Sequence, residues 1–456
     1  MKMSTSLKIS VSGVRGVVGE SLTPSLVAYF AASFGEYVGA GRVLVARDTR
    51  PTGTMFENAV ISGLLSVGCQ PFILGVVPTP TLQMAVVKLR ANGGIIISAS
   101  HNPEEWNALK FVNSSGIFLN HNEADELLDI YNQPYTNYVA ESEYRNVHIA
   151  ENPFAIHKDK IFSQIDIELI RKSKFKVAID CCNGAGAPYA KNFLEELGCE
   201  VTAIFTDIEN GFERAPEPVA KNLGALSKLV REGEFDIGFA QDPDADRLVL
   251  LNTKGEALGE QLTLVLAISH VLEKTKKHGN VVVNLATTKA AEDIATAAGS
   301  TISYSEIGEI NVTSEMIAKK AIVGGEGGSG GVIWPAVHPC RDSFTGMALI
   351  LEMMASRGES IDAIVKSLPK YFTVNRKIAT SGSRASQKVI RELREKYAAQ
   401  KPDTSDGIRI DWEDRWVLVR PSNTEPVIRI TAEAKTEKTA EDLAAKFAEE
   451  TGRIIS

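Results

Sequence analysis

The sequence lacks the features that mark secreted, membrane-spanning or nucleic-acid-binding proteins. Only five of its 456 residues are cysteine, and they are odd in number and without metal-ligand spacing, which indicates reduced thiols. No run approaches the roughly 18 uncharged apolar residues of a membrane span, and the N-terminus lacks the apolar core of a signal peptide. The net charge of -8 offers no general attraction for nucleic acid or an anionic bilayer. We therefore expect a cytoplasmic protein with neither nucleic acid nor membrane as a partner.

Length and periodicity predict several folded domains. The 456 residues exceed the size of one core, since a domain usually holds about 100–200 residues. Strand-like and helix-like segments alternate three times from Arg42 onward, which predicts parallel strands with crossover helices. After residue 370, adjacent strands joined by short turns predict an antiparallel sheet with helices on one face. We place three α/β domains at residues 1–150, 151–253 and 254–370, and a smaller α+β domain at residues 371–456.

A serine loop follows one of the buried predicted strands. Residues 97–103 read ISASHNP, and loops at the carboxyl ends of parallel strands commonly carry ligand sites. Ser100 could accept a phosphoryl group there, with His101 or Lys110 supplying proton transfer or positive charge. No G-x-S-x-G elbow surrounds the serine, so the common hydrolase arrangement fits poorly. Taken alone, the loop fits a polar turn better than a catalytic loop.

An acidic loop joins two further predicted strands. Asp242, Asp244 and Asp246 stand at alternate positions in QDPDADR, where their carboxylates can converge on a hard cation. An EF-hand is disfavoured, because its sixth position would be Arg247 and its twelfth Thr253 instead of glycine and glutamate. The loop therefore predicts a Mg²⁺ site with an open position for a phosphoryl oxygen. Arg247 could neutralise another oxygen of the same phosphoryl group. A solvated acidic turn is the alternative.

A glycine-rich segment predicts close backbone approach to a ligand. Residues 324–331 read GGEGGSGG, and glycine lets the main chain come near a bound molecule. Glu326 in this segment could accept hydrogen bonds from sugar hydroxyls. A flexible hairpin is the alternative interpretation.

The last segment contains a loop with the chemistry of a phosphate site. RPSNTEP combines the fixed cation of Arg420 with short polar side chains, which is what a phosphate dianion requires. Arg429 adds charge if its side chain faces the same way, and otherwise faces water. Without the other loops, a polar hairpin turn would explain this segment equally well.

Taken in chain order, these loops resemble those of the α-D-phosphohexomutase family along nearly the whole chain. SGVRG near the N-terminus is similar to a family loop whose arginine, Arg15 here, contacts phosphate near the active site. SASHNP is similar to the loop of the phosphorylated serine, DPDADR to the metal loop and RPSNTEP to the phosphate-binding loop. The resemblance implies three α/β domains of similar topology and a smaller fourth domain around a central cleft.

The resemblance also implies roles for individual residues. Ser100 would be the phosphorylated residue, with His101, Lys110 and Arg15 as the neighbouring catalytic groups. The metal ligands would be Ser100, Asp242, Asp244 and Asp246. The substrate-binding candidates from the resemblance and the loops together are Arg247, Glu326, Ser329, Arg420, Ser422, Asn423, Thr424 and Arg429.

The sugar-binding segment departs from the family pattern. Many members have glutamate, one variable residue, serine, glycine and histidine. Here an additional residue separates Glu326 from Ser329, and Gly331 stands in the place of the histidine. The identity of the sugar and a histidine acid/base in this loop therefore cannot be carried over.

The resemblance implies an isomerase that interconverts hexose 6-phosphate and hexose 1-phosphate. Phosphoserine, Mg²⁺ and a hexose 1,6-bisphosphate, the latter as intermediate and activator, would take part in the reaction. We expect glucosamine phosphate as the substrate, with glucose and mannose phosphates as the alternative, and a monomer or homodimer as the active form. A sugar phosphatase using the same serine, and an inactive sugar-phosphate-binding protein, are the competing functions.

Overall fold

The computed structural model describes residues 7–10, 13–134, 136–422 and 426–455, and these residues form four sheets. Three sheets mix parallel and antiparallel strands, and the fourth is antiparallel throughout. The predicted fold class of three α/β units followed by a smaller α+β unit is confirmed.

The first unit has seven strands and four helices. The strands are β1 (Lys8–Ser10), β2 (Gly13–Val17), β3 (Arg42–Arg47), β4 (Gln70–Val76), β5 (Gly93–Ile97), β6 (Trp106–Asn113) and β7 (His148–Ile149). The helices are α1 (Pro24–Tyr37), α2 (Gly53–Ser66), α3 (Thr79–Lys88) and α4 (His121–Tyr131). The strand order is β1-β2-β6-β5-β3-β4-β7. Strand β5 is buried along its whole length, as its sequence GGIII predicts.

The second unit is smaller. Its strands are β8 (Lys176–Asp180), β9 (Glu200–Ile204), β10 (Ile237–Gln241) and β11 (Leu248–Leu251), in the order β11-β10-β8-β9. Its helices are α5 (Phe154–Phe162), α6 (Ile167–Ser173), α7 (Ala187–Glu196) and α8 (Gly224–Gly233).

The third unit has five strands and five helices. The strands are β12 (Asn280–Asn284), β13 (Thr301–Ser305), β14 (Val323–Glu326), β15 (Gly331–Trp334) and β16 (His338–Arg341), in the order β13-β12-β14-β15-β16. The helices are α9 (Glu260–Thr275), α10 (Lys289–Ala297), α11 (Glu309–Ala318), α12 (Ser343–Arg357) and α13 (Ile361–Ser367). Asp342 begins α12 as its N-cap, because its carboxylate accepts the backbone N–H of Phe344 at 2.9 Å.

The fourth unit is the antiparallel sheet. Its strands are β17 (Phe372–Ala379), β18 (Ile408–Asp411), β19 (Arg415–Pro421) and β20 (Val427–Ala434), in the order β17-β20-β19-β18. Its helices are α14 (Ser383–Lys396) and α15 (Glu437–Ile455).

One four-strand pattern occurs in each of the first three units. A first strand pairs in parallel with the second and the third strand, and the third pairs with an antiparallel fourth strand. The pattern is β4-β3-β5-β6, then β9-β8-β10-β11, then β13-β12-β14-β15. The connection from third to fourth strand therefore occupies the same position three times. We call these connections the serine loop (98–105), the metal loop (242–247) and the sugar loop (326–330, starting on the last residue of β14).

Side-chain contacts join the first three units directly. His157 on α5 contacts Thr81 on α3 through Nδ1 at 2.8 Å and Asp342 before α12 through Nε2 at 2.9 Å. The second and third units also share one hydrophobic core, in which Phe344 packs 4.9 Å from Phe154 and 5.1 Å from Phe193, measured between ring centroids. These contacts fix the three loops relative to one another.

The fourth sheet has its own core and docks on the third unit. Arg409 lies between the rings of Tyr304 and Trp416, 4.2 and 4.4 Å from their centroids, and donates to the carbonyl of Leu285 at 2.6 Å. In the described part of the chain, no helix has the length and apolar character needed to cross a membrane.

Candidate active site

All four units contribute to one central cavity of about 520 Å³. The serine loop, metal loop and sugar loop enter it from the first three units, and the face of β17, β19 and β20 closes it from the fourth. Predicted site residues that line it are Arg15, Ser100, His101, Lys110, Arg247, Glu326, Ser329, Arg420 and Arg429. The three aspartates of the metal loop lie buried beside the cavity, and Asn423 and Thr424 lie outside the described residues.

Ser100 is held in an uncommon backbone conformation. Its φ angle is +49°, a left-handed value that costs free energy for a non-glycine residue and therefore needs support from its surroundings. Its backbone N–H donates to the hydroxyl of Ser98 at 2.9 Å, and its own hydroxyl donates to Oδ2 of Asp242 at 2.8 Å. The serine hydroxyl therefore points at the metal loop, whereas Nδ1 of His101 lies 3.4 Å from it.

Arg50 supports the serine loop from below. Its guanidinium uses all five N–H donors: one to the carboxylate of Asp48 at 3.1 Å, and four to the carbonyls of Ser100, Asn102, Pro103 and Trp106 at 2.6 to 2.9 Å. Asp48 in turn accepts from the hydroxyl of Ser98 at 2.6 Å. Arg50 is only 1% exposed, so one buried side chain fixes the path of the whole loop.

The metal loop concentrates negative charge around unpaired oxygens. One carboxylate oxygen from each of Asp242, Asp244 and Asp246 lies within 4.8 Å of the others. Both Oδ1 of Asp244 and Oδ1 of Asp246 are buried without a hydrogen-bond partner. Burial and the neighbouring carboxylates raise the pKa of Asp242 well above its ordinary value. Three buried acids with orphaned oxygens fit a hard divalent cation, which would satisfy them and remove their repulsion.

Lys110 and Thr79 fix the middle aspartate. Lys110 donates to Oδ2 of Asp244 at 2.6 Å, and Thr79 donates to the same oxygen at 2.7 Å. Burial acts against ionisation of Asp244, but the ion pair with Lys110 outweighs it and lowers the pKa of this carboxyl. The first unit thus clamps the metal loop of the second.

Cations surround His101. Arg247 lines the cavity with Arg15, and its backbone N–H donates to Oδ1 of Asp242 at 3.1 Å. Arg247, burial and Arg15 lower the pKa of His101 well below its ordinary value. The imidazole is therefore neutral near pH 7, where its ring nitrogens can accept or relay a proton.

Glu326 ends strand β14 and begins the sugar loop. Its Oε1 accepts from the amide of Asn284 at 2.9 Å and from the backbone N–H of Gly308 at 2.7 Å, and its Oε2 accepts from Arg341 at 2.8 Å. Burial acts to raise the pKa of Glu326, but Arg341 and these hydrogen bonds outweigh it and lower that pKa. The hydroxyl of Ser329 donates back to the carbonyl of Glu326 at 3.3 Å.

The sugar loop rests on the start of β11, directly after the metal loop. Gly330 has φ +67°, and a Cβ atom there would lie 2.2 Å from the carbonyl oxygen of Leu248, so both its conformation and its contact require glycine. The backbone N–H of Leu248 donates to the carbonyl of Gly330 at 3.1 Å. Glycine at position 330 therefore allows the sugar loop to lie close to β11, and it does not indicate a flexible hairpin.

The fourth sheet presents a row of cations to the cavity. Arg420 on β19, Arg429 on β20 and Lys377 on β17 are direct cross-strand neighbours, and all three line the cavity. Adjacent like charges on a sheet repel, so this row favours an anion. Asp406 neutralises part of it through Nε of Arg420 at 3.2 Å. Ser422, next to Pro421, donates its backbone N–H to the carbonyl of Val427 at 2.9 Å.

Among the residues of this site that the sequence interpretation missed are three cations: Arg50, Arg341 and Lys377. Arg50 had a usable signal, because DTR (48–50) directly follows β3, which pairs in parallel with β5, so both strands end at the same edge. Lys377 follows from the register of β17 against β20. Arg341 had no local signal beyond a charge before the apolar helix α12.

The chain matches family descriptions along almost all its length. The alpha/beta/alpha domains I, II and III of "Phosphoglucomutase/phosphomannomutase" match residues 7–137, 155–255 and 259–372, and its C-terminal domain matches residues 373–450. The chain belongs to the α-D-phosphohexomutase family. It is therefore an isomerase of the intramolecular phosphotransferase type, as predicted.

Related phosphohexomutases cover the chain from end to end. The Methanopyrus kandleri protein named "Probable phosphoglucosamine mutase" is 34% identical over 97% of each chain. The Thermococcus kodakarensis "Phosphoglucomutase/phosphomannomutase" is 35% identical over 94% of this chain and 95% of its own. The crystal structure of a phosphoglucomutase/phosphomannomutase family protein from Burkholderia thailandensis superposes with a TM-score of 0.82 at 24% identity, over 98% of each chain. The last comparison supports the fold.

Proposed function

We propose that this phosphohexomutase moves a phosphoryl group between the 6- and 1-positions of a hexose through Ser100. The observation that carries the proposal is the common cavity, which is lined by Ser100, the carboxylate of Glu326 and the cationic row of the fourth sheet. We further propose that the units at residues 1–150, 151–253, 254–370 and 371–456 are the domains that each bring one of these elements.

Phosphorylated Ser100 starts the reaction. The bond from phosphorus to the serine oxygen breaks while a bond to a sugar hydroxyl oxygen forms, and the proton of that hydroxyl passes through neutral His101 to the released serine oxygen. Lys110 and Arg247 are placed to stabilise the charge that spreads over the phosphoryl oxygens. Ser100, Asp242, Asp244 and Asp246 would hold Mg²⁺, which would supply further charge stabilisation when bound.

The second half-reaction uses the same residues. The hexose 1,6-bisphosphate turns over, and its other phosphate returns to Ser100, so the same bisphosphate also activates unphosphorylated enzyme. The phosphate at the far end of the sugar would bind to the cationic row. Ser422, Asn423 and Thr424, which follow Arg420 and Pro421 in the sequence, would also bind it. Because both ends of the sugar must fit there in turn, that site has to recognise phosphate more than sugar.

Glucosamine phosphate is the substrate that we propose, and glucose or mannose phosphate is the alternative. Glu326 is the acceptor placed to bind sugar hydroxyl or amino groups, and the names of the relatives include both activities. All five cysteines are buried free thiols, which agrees with our proposal of a reducing, cytoplasmic location.

The deciding experiment is a comparison of substrates. Purified enzyme with Mg²⁺ and the matching hexose 1,6-bisphosphate is mixed with the 6-phosphate of glucosamine, glucose or mannose. Phosphorus NMR then separates the 1-phosphate product from inorganic phosphate. We expect 1-phosphate without equivalent phosphate release, and the largest kcat/KM for glucosamine 6-phosphate.

The same spectra test the competing functions. Inorganic phosphate without 1-phosphate would support a sugar phosphatase. A sugar phosphate that binds in calorimetry but is not converted would support a binding protein. Either result would refute the mutase proposal for this chain.

A further inference from the structure

Arg341 joins the metal loop to the sugar loop. Its Nη1 donates to Glu326 at 2.8 Å, its Nη2 donates to Asp246, and its Nε donates to Glu309 at 3.0 Å. Nη1 also lies 3.4 Å from the hydroxyl of Ser329. One guanidinium thus binds a carboxylate on the metal loop, the carboxylate that begins the sugar loop and a third at the start of α11.

The arginine stem occupies the space above Gly331. A Cβ atom at position 331 would lie 2.4 Å from Cδ and 3.0 Å from Cγ of Arg341. A side chain at position 331 and the present course of Arg341 are therefore mutually exclusive. After the arginine, the next nearest heavy atom to that Cβ is the hydroxyl oxygen of Ser329 at 3.4 Å, an ordinary van der Waals distance, so the arginine stem is the main obstacle to alanine.

The bonds of Glu326 show what Arg341 controls. Its Oε1 is occupied by Asn284 and Gly308, and its Oε2 by Arg341. A carboxylate has about four lone-pair positions, so the remaining acceptor direction lies on the oxygen that Arg341 holds. Rotation of the Glu326 carboxylate would move this oxygen and so change which sugar group can donate a hydrogen bond to it.

We propose that Arg341, extended over the bare backbone of Gly331, is a positioning residue that aligns Glu326 with the metal loop and thereby sets sugar discrimination. The proposal rests on the proposed function. Removing one partner of a buried charge network costs several kcal/mol, because the others stay buried and unpaired. Here three carboxylates, those of Asp246, Glu309 and Glu326, would lose their common partner.

The test is a double-mutant cycle with Arg341→Ala, Gly331→Ala and the combined variant. We expect each single change to lower kcat/KM about 10²–10³-fold, because each removes the guanidinium from Glu326. In the combined variant the second change should add little, since no stem remains to collide. If the losses in kcat/KM of the two single variants multiply in the combined variant, or if Gly331→Ala has wild-type activity, the inference is overturned.

A second measurement separates positioning from a structural role. Every variant is tested with glucosamine, glucose and mannose 6-phosphates. Misplacement of Glu326 changes the ratios between the sugars, whereas general damage lowers all three equally, and equal lowering would refute the inference. Arg341→Lys keeps the charge but only part of the contacts, so we expect partial rescue. Arg357→Lys, at the outer end of α12, is the control and should behave as wild type.

Binding distinguishes failure of this inference from failure of the proposed function. If the wild type converts no hexose phosphate, the mutase proposal fails while the role of Arg341 is still measurable. Calorimetry with glucosamine 6-phosphate would then compare the wild type with Arg341→Lys and Gly331→Ala. We expect at least tenfold weaker binding in Gly331→Ala, and equal affinity would overturn the inference.

Discussion

The serine loop and the sugar loop occupy the same place in their units, yet they are held in different ways. Each depends on one buried arginine. Arg50 donates to three backbone carbonyls of the serine loop and to that of Trp106, which follows the loop, whereas Arg341 donates to the side chains of carboxylates. The first arrangement fixes the main chain around Ser100, the proposed nucleophile. The second fixes the orientation of Glu326, which we propose binds the sugar. Changes in the serine loop should therefore act on chemistry, and changes in the sugar loop on selection.

The largest effect should follow removal of the nucleophile. We expect Ser100→Ala to lower kcat at least about 10⁴-fold for every sugar, because no other group can carry the phosphoryl group. Incubation with labelled hexose 1,6-bisphosphate should leave this variant unlabelled. Ser114→Ala, on an exposed turn, is the control. Undiminished interconversion by Ser100→Ala would remove the basis of the comparison.

Loss of the arginine beneath the serine loop should come next. Arg50→Met leaves Asp48 and four carbonyls without their donor, so we expect kcat to fall about 10²–10³-fold and stability to fall by about 3–5 kcal/mol. KM should change little, since the sugar loop and the cationic row keep their contacts. Kinetics and denaturant unfolding measure both. Arg42→Met, at the start of β3 and away from the serine loop, is the control, and a rise in KM at unchanged kcat would contradict the assigned role.

A smaller effect is expected at the sugar loop. Glu326→Gln keeps the shape of the side chain but weakens the bond to Arg341, and a charge-assisted hydrogen bond is worth about 1.5–3 kcal/mol. We expect kcat/KM to fall about 10- to 100-fold, with altered ratios between glucosamine, glucose and mannose phosphates. Glu273→Gln, on the outer face of α9, is the control. Identical losses for all three sugars would show that Glu326 does not select.

The smallest effect concerns pH. Arg247, burial and Arg15 keep the pKa of His101 low in the folded protein, so the unfolded chain binds more protons below about pH 6.5. This residue therefore supports stability above that pH, and the support is lost as the pH falls, by up to about 1.4 kcal/mol per unit. When the pH is lowered from 7.5 to 5.5, the Tm of His101→Asn should fall by less than the Tm of the wild type. His121→Asn, at an exposed position, should lose as much as the wild type, and equal losses in all three would refute the prediction.

The sequence was sufficient to predict the fold class, and nine of the predicted site residues line the cavity. The acid triplet required only residue chemistry, whereas Ser100 was predicted through the resemblance, because its loop taken alone fits a polar turn better. The repeated strand order was not visible, because it is a property of pairing and leaves no shared residues in the three segments. Arg341 could not be found for a related reason: its partners Asp246, Glu309 and Glu326 are distant in sequence, and only folding brings them together.

The shared core of the second and third units and the separate core of the fourth have a consequence for recombination. Val389, Leu393 and Phe447 pack within the fourth unit, and among the described residues the apolar crossing to the third unit centres on Trp416 and its neighbours. A chimera that exchanges this C-terminal segment with a relative would cut few apolar contacts if the Trp416 surface is matched. Such an exchange would replace the cationic row, the proposed phosphate-binding part, and leave the serine loop and the metal loop unchanged.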